Sequence, residues 1–325
     1  MSNTSMFERN GLDPVPFSLE MFHETMGERL SEAGLHVVAA EIAELGIVRH
    51  FLAKPLSPES VRAINNVEGV AAAESAAVFQ KRVQRVEVRE SGERLMNLRD
   101  LAAANDTPWT FTDTPYHPAC GEWAGKERLF WIREQVTKGL LNITASLQKA
   151  GFGLRFEDGF RPLGVQEGLF KRRYQMALVE NPAWTHEQLV LEARAKTAYT
   201  PRFAAHKGGA AVDIRVRDLR DGDLLDIGHG YPDGGALVAL DAPLVTQRQW
   251  QNRVLLASIA TQSGMSMYPF EDWHVCMGDT TASACALGDD LPPAVYGPVK
   301  RFDPNTGEVL EVYTPAELDQ VFEVI

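Results

Sequence analysis

Apolar and polar positions recur along the chain with two different periods, and the changes of period mark its elements. From Lys126 onward, Leu129, Ile132, Val136, Leu140, Ile143 and Leu147 return at three- and four-residue steps, which predicts an amphipathic helix ended by Gly151. Residues 153–157 alternate as a half-buried strand does, and Asp158-Gly159 then turns the chain. Residues 164–180 and 185–197 read as helices, 210–216 as a strand, 247–263 as a helix ended by Gly264, and 273–277 as a strand. Residues 104–123 are rich in Pro, Thr and aromatics and predict an ordered loop. Helices thus flank short strands without a regular βαβ alternation, which predicts an α+β fold with a small central antiparallel sheet.

The first 95 residues read as a separate unit. A helix is expected over 17–33, a strand over 46–52, a helix over 59–82 and an alternating strand over 83–89, with Pro55 and Pro58 interrupting the pattern. The expected organisation is therefore an N-terminal α/β extension, 1–95, followed by a larger domain, 96–325. The extension carries no recognisable chemistry: His23, His36 and His50 share no short spacing. No internal repeat is present.

Composition narrows the functional classes. The net charge of −12 disfavours binding to phosphate backbones, and no basic stripe offsets it. No stretch approaches the roughly 20 apolar residues of a membrane span. The N-terminus lacks the basic start and apolar core of a secretory signal. Three cysteines, Cys120, Cys276 and Cys285, form neither a disulfide framework nor a Cys-x-x-Cys pair. A cytoplasmic protein is expected, with oligomeric state open.

Three segments carry candidate chemistry. In the first, Asp158-Gly159-Phe160-Arg161-Pro162, Arg161 offers a guanidinium fork for a carboxylate or an oxyanion. In the second, His206 precedes Asp213 by seven residues, with a Gly208-Gly209 turn before an apolar run. A carboxylate inside such a run is costly unless paired or metal-bound, and an imidazole nitrogen beside it makes a set that suits zinc. The third, Glu271-Asp272-Trp273-His274, adds another histidine and a carboxylate that could act as general base. Three ligands would leave a fourth position open, the catalytic pattern. Tyr268 and Trp273 would line the cleft. Taken singly, each residue has an ordinary reading: a core histidine, a turn-capping aspartate, a surface ion pair.

Together the segments resemble the D-alanyl-D-alanine dipeptidases of the vancomycin-resistance type, in a zinc peptidase group that includes D,D-carboxypeptidases and the hedgehog fold. The family pattern Ser-x-His-x-x-Gly-x-Ala-x-Asp reads here Ala204-x-His206-x-x-Gly209-x-Ala211-x-Asp213. Glu-x-x-His is Glu271 to His274, and Asp-Gly-Tyr-Arg-Pro is Asp158 to Pro162 with Phe160 for tyrosine. The similarity covers roughly residues 95–290. It implies a hedgehog/D,D-peptidase-like fold and one zinc ion per chain, bound by His206, Asp213 and His274. It implies Glu271 as general base and acid, Arg161 at the scissile carbonyl, and Asp233 for the substrate's amine, with Tyr231 and Trp273 beside the substrate. Ala204 replaces the family's serine and Ala205 is its neighbour, which removes hydroxyls that fix dipeptide termini. The implied activity is hydrolysis of a small dipeptide, D-Ala-D-Ala or a relative. A different amide in a specialised pathway and a non-catalytic metal-containing module are the alternatives.

Overall fold

The computed structural model describes residues 55–57, 69–232, 236–240, 242 and 245–322. The expected elements at 17–33, 46–52 and 59–68 lie outside the described residues, as does Asp233. The described helices and strands follow in the order α1 (Gly69–Gln84), β1 (Leu95–Asn97), α2 (Leu98–Asn105), β2 (Trp109–Phe111), β3 (Trp131–Arg133), α3 (Glu134–Lys149), β4 (Phe152–Asp158), α4 (Leu163–Glu180), α5 (His186–Lys196), β5 (Ala211–Asp218), α6 (Gln247–Gln262), β6 (Ser266–Met267), β7 (His274–Cys276), α7 (Thr280–Ala284), β8 (Val299–Phe302) and β9 (Val309–Val312). The mixed α+β class expected from the sequence is what forms.

The central sheet has five strands in the order β2-β4-β5-β7-β6. β4, β5, β7 and β6 are antiparallel neighbours, whereas β2 joins β4 in parallel at the edge. The sheet is therefore mixed and not purely antiparallel. The chain between β2 and β4 runs through α3, and a helical crossover of this kind is what delivers a strand parallel to its neighbour. α3 covers the sheet with Val136, Leu140, Ile143 and Leu147, all fully buried, against Phe152, Leu154, Phe156, Val212 and Ile214.

The predicted start of α3 at Lys126 is corrected. Leu129 and Ile132 carry the right helical phase, but residues 131–133 form β3, paired antiparallel with β1, and Leu129 bridges Phe160. Arg133 locks this extended segment: its buried guanidinium donates to the carbonyls of Gly208 and Glu93 and pairs with Glu90. The expected strand over 83–89 is also corrected. α1 continues to Gln84, and only Val88 makes a bridge, to Ala294. Val83 and Val86, three residues apart, are apolar because they pack into one cluster with Ala284 and Ala294. The expected loop over 104–123 contains β2 and a 3-10 helix at Pro118–Trp123. No described helix is long and apolar enough to cross a membrane.

One core cation stands out. Lys207 is fully buried, its Nζ has no hydrogen-bond partner, and it lies 5.2 Å from the Tyr313 ring centre. Burial pulls its pKa down to about 7, with Glu167 opposing the fall. An unfolded chain holds this proton up to about pH 10.4. Between these values the unfolded state binds more protons, so Lys207 makes stability rise with pH across that window. Lys207→Met is expected to be more stable than wild type at pH 6, with the gap narrowing by pH 10; urea unfolding at both values checks it. Leu140→Ala, which empties the centre of the helix–sheet contact, is expected to cost about 2–5 kcal/mol by the same assay.

Candidate active site

Sheet register builds the site. β4 pairs with β5 so that Asp158 lies opposite Asp213, after an irregularity between Phe156 and Asp158. β5 pairs with β7 so that Asp213 lies opposite His274. Three polar residues thus form one row across three strands at one end of the sheet. A β-bulge of this kind re-aims a side chain, here that of Asp158.

His206 enters from the turn preceding β5. The 3-10 helix Ala205–Gly208 ends at Gly209, whose φ of 64° is the left-handed region. A Cβ there would lie 2.3 Å from Leu95 Cδ2, so the turn requires glycine. His206 Nδ1 is 2.8 Å from the Gly159 carbonyl oxygen. Only a protonated Nδ1 can donate to a carbonyl, which leaves the Nε2 lone pair free. That Nε2 is 3.2 Å from Asp213 Oδ1, and His274 Nδ1 is 3.0 Å from the same oxygen.

Potential ligand atoms of His206, Asp213 and His274 all lie within 4.8 Å of one another, and all three residues are buried. Tetrahedral zinc with bonds of about 2.0–2.1 Å needs donors about 3.3 Å apart. Two nitrogens and one carboxylate oxygen at these separations fit such an ion. The electrostatics agree with the chemistry. Burial lowers the His206 pKa and the Arg161 charge adds to the fall, favouring the neutral imidazole a metal needs. Burial opposes ionisation of Asp213, yet the two histidines hold it well below the usual carboxylate range. His274 is lowered by burial, but its hydrogen bond to Asp213 and that carboxylate's charge leave it raised overall.

The second oxygen of Asp213 is held separately. Asp213 Oδ2 accepts from the Tyr231 hydroxyl at 2.8 Å and from Arg161 Nη2 at 3.3 Å. Burial and the carboxylates of Asp213 and Asp158 push the Tyr231 phenol well up, so it remains a donor. Arg161 Nε donates to Asp158 Oδ2 at 2.9 Å, and Arg128 Nη1 donates to the same oxygen at 2.8 Å. Burial disfavours the Arg161 charge, but Asp158 and Asp213 outweigh it and keep the guanidinium protonated.

Glu271 lies in the turn just before β7, where its carbonyl accepts from the His274 amide. Its Oε2 is 3.8 Å from His274 Nδ1, and its side chain is 36% exposed, so it reaches the open side of the cluster. Burial raises the Glu271 carboxyl, with His274 opposing and Asp213 reinforcing the rise. Arg161, His206, Asp213, Glu271 and His274 border one cavity of about 240 Å³, together with Tyr231 and Trp273. Ala204 and Ala205 leave part of its wall without hydroxyls.

Several members of the site escaped the sequence reading. Asp158 has no role legible in its motif, yet it anchors Arg161. Phe79 of α1 stacks edge-on against Tyr268 and Phe270 and closes one wall of the cavity. Trp273 is braced by His229 and Tyr231, with ring centres 5.1 and 5.2 Å away. His229 Nε2 and Arg253 Nε both meet Asp272 Oδ2, at 2.9 and 3.0 Å, with all three side chains fully buried. His229 therefore stands in the loop's support and outside the three-residue cluster.

The Gly159 carbonyl couples the Asp158 turn to His206. A Cβ on Gly159 would lie 2.7 Å from the Leu129 carbonyl oxygen and 3.0 Å from Phe130 Cα. Gly159→Ala is expected to shift that carbonyl and weaken zinc affinity about 10–100-fold, the usual cost of losing a histidine's outer partner. Competition against a chromogenic chelator measures it.

Comparison with known proteins matches the segment that carries this cluster. A D-alanyl-D-alanine dipeptidase of Streptomyces coelicolor is 27% identical over 124 residues, which span 38% of this chain and 61% of that protein. A D-alanyl-D-alanine dipeptidase of Enterococcus faecium is 23% identical over 145 residues, 45% of this chain and 72% of that protein. The family model described as D-ala-D-ala dipeptidase matches residues 121–288, the segment that holds Arg161, His206, Asp213, Glu271 and His274. Matched over more than half its length, the chain belongs to the D-Ala-D-Ala dipeptidase family of peptidases.

Proposed function

We propose that the protein is a zinc-dependent dipeptidase acting on a small dipeptide, D-Ala-D-Ala or a related D-amino-acid dipeptide. The observation that carries this reading is the convergence of His206 Nε2, Asp213 Oδ1 and His274 Nδ1 beside a partly exposed Glu271 in one cavity. In this reading His206, Asp213 and His274 hold the ion. Zinc supplies a Lewis acid for the scissile carbonyl and lowers the pKa of water to about 7.

The remaining steps belong to the chain. Glu271 takes a proton from the attacking water and returns it to the leaving amine. Its raised pKa suits both halves of that task, because it narrows the gap to neutral pH. Arg161, pinned by Asp158 and Asp213, offers a fixed positive charge to the developing oxyanion at no reorganisation cost. Trp273 and Tyr231 flank the bound dipeptide, and Asp233 receives its amine. A non-catalytic metal module has less support, since it would need neither Glu271 nor a pinned Arg161.

Residues 96–325 form the catalytic domain in this reading, and 1–95 an extension whose α1 contributes Phe79 to the cleft. Cys120, Cys276 and Cys285 are thiols outside any disulfide, which supports a reducing, cytoplasmic setting. A second reading, hydrolysis of a different amide, is favoured by one observation: Ala204 and Ala205 line the cavity where the family pattern has a hydroxyl.

Glu271→Gln is expected to retain one zinc per chain while kcat falls about 10²–10⁴-fold. Metal analysis and a D-Ala-D-Ala hydrolysis assay, with a chelated control, check both halves. Near-native turnover would remove Glu271 from the mechanism, and loss of zinc would make it a ligand.

A further inference from the structure

The wall of the cavity opposite in charge to its catalytic carboxylates has no role in the chemistry above. Besides Arg161, four cations border it: Arg172 and Arg173 of α4, and Arg194 and Lys196 of α5. Among the described residues, the acids that border it are Asp213 and Glu271. In a chain of net charge −12 this is a local reversal of sign.

Two of the four cations are already engaged. Arg194 donates to the Tyr199 hydroxyl at 2.7 Å and stacks on that ring, and Lys196 pairs with Glu192 at 2.6 Å. Arg172 and Arg173 differ. Both are partly buried, and among the described residues neither guanidinium forms a hydrogen bond or an ion pair. Two adjacent, half-buried cations that hold no hydrogen bond repel one another, and an anion placed between them would relieve that repulsion. Burial lowers the Arg173 pKa and Arg172 adds to the fall, while the charges of Glu271, Glu180 and Glu192 oppose it without forming an ion pair.

We infer that Arg172 and Arg173 bind an anionic group on the substrate, a side-chain carboxylate or a phosphate ester, distinct from the scissile amide and from the groups handled by Arg161. The inference rests on the hydrolase reading and specifies its substrate class: an acidic dipeptide or acidic amide. A guanidinium fork matches either oxyanion bidentately. Phe203, Ala204 and Ala205 border the same cavity and leave it apolar where hydroxyls would otherwise compete for the substrate. Pairing a partly desolvated arginine with an anion is a charge-assisted contact, so discrimination of about tenfold or more over a neutral side chain is expected.

The test uses the zinc-loaded full chain and five peptides: D-Ala-D-Ala, D-Ala-D-Glu, D-Glu-D-Ala, D-Ala-D-phosphoserine and D-Ala-D-Lys. At least one acidic peptide is expected to exceed D-Ala-D-Ala and D-Ala-D-Lys about tenfold in kcat/KM, chiefly through KM. Whether the glutamyl or the phosphoseryl peptide gains more identifies the anion. The preference should fall toward unity in Arg173→Gln and be partly restored in Arg173→Lys. Equal handling of all five, a preference for D-Ala-D-Lys, or a preference that survives the double variant Arg172→Gln/Arg173→Gln would overturn the inference. Calorimetric titration of zinc-loaded Glu271→Gln with the same peptides separates this question from catalysis. If nothing is cleaved, the hydrolase reading fails by itself, and tighter binding of an acidic peptide still sustains the anion site. Equal affinities for acidic, neutral and basic peptides would sink it.

Discussion

A carboxylate buried in a sheet between hydrophobic neighbours is the constraint on which this molecule turns. Asp213 sits in β5 between Val212 and Ile214, both fully buried. Its charge is tolerable there only because its oxygens are divided between two sets of partners. Oδ1 faces two imidazoles, whereas Oδ2 is held by Tyr231 and Arg161. Removing either set would leave a desolvated negative charge unbalanced, so the surrounding fold is committed to supplying both.

That commitment explains how the parts are arranged. Strand register sets His274 and Asp158 on either side of Asp213. Asp158 then fixes Arg161 and Arg128, and the neighbouring Gly159 carbonyl selects the His206 tautomer. The Asp272–His229–Arg253 network anchors the next segment, so that Trp273 and Glu271 approach from a rigid base. A site built on strands and buried networks holds its geometry before any ligand arrives, which is what transition-state stabilisation by fixed charges requires.

Much of this was legible from residue order alone. β4, β5, β7, α4, α5 and α6 lie within two residues of their expected bounds, because alternation, helical phase and glycine stops such as Gly151 and Gly264 are local signals. α6 also begins with a reciprocal Thr246–Gln249 cap. The meeting of His206, Asp213 and His274 was readable from the order of the motifs and from the Asp213 charge in an apolar run. Non-local facts were not readable. β1, β2 and β6 are two or three residues long, too short for any period to declare itself. Leu129 and Ile132 kept helical phase while tertiary pairing drew residues 131–133 into a strand. The pairing of β2 in parallel, the wall contributed by Phe79, and the meeting of Arg172 and Arg173 with the same cavity all depend on chain segments far apart in sequence.

The central claim is that one metal ion sits among three particular atoms. Crystals of the full chain grown with zinc, with anomalous data collected on both sides of the zinc absorption edge, test it most directly. The account predicts a single strong peak about 2.0–2.2 Å from His206 Nε2, Asp213 Oδ1 and His274 Nδ1, with a non-protein ligand completing the coordination. A peak bound by other residues, a fourth protein ligand closing the site, or no peak at stoichiometric zinc would contradict it.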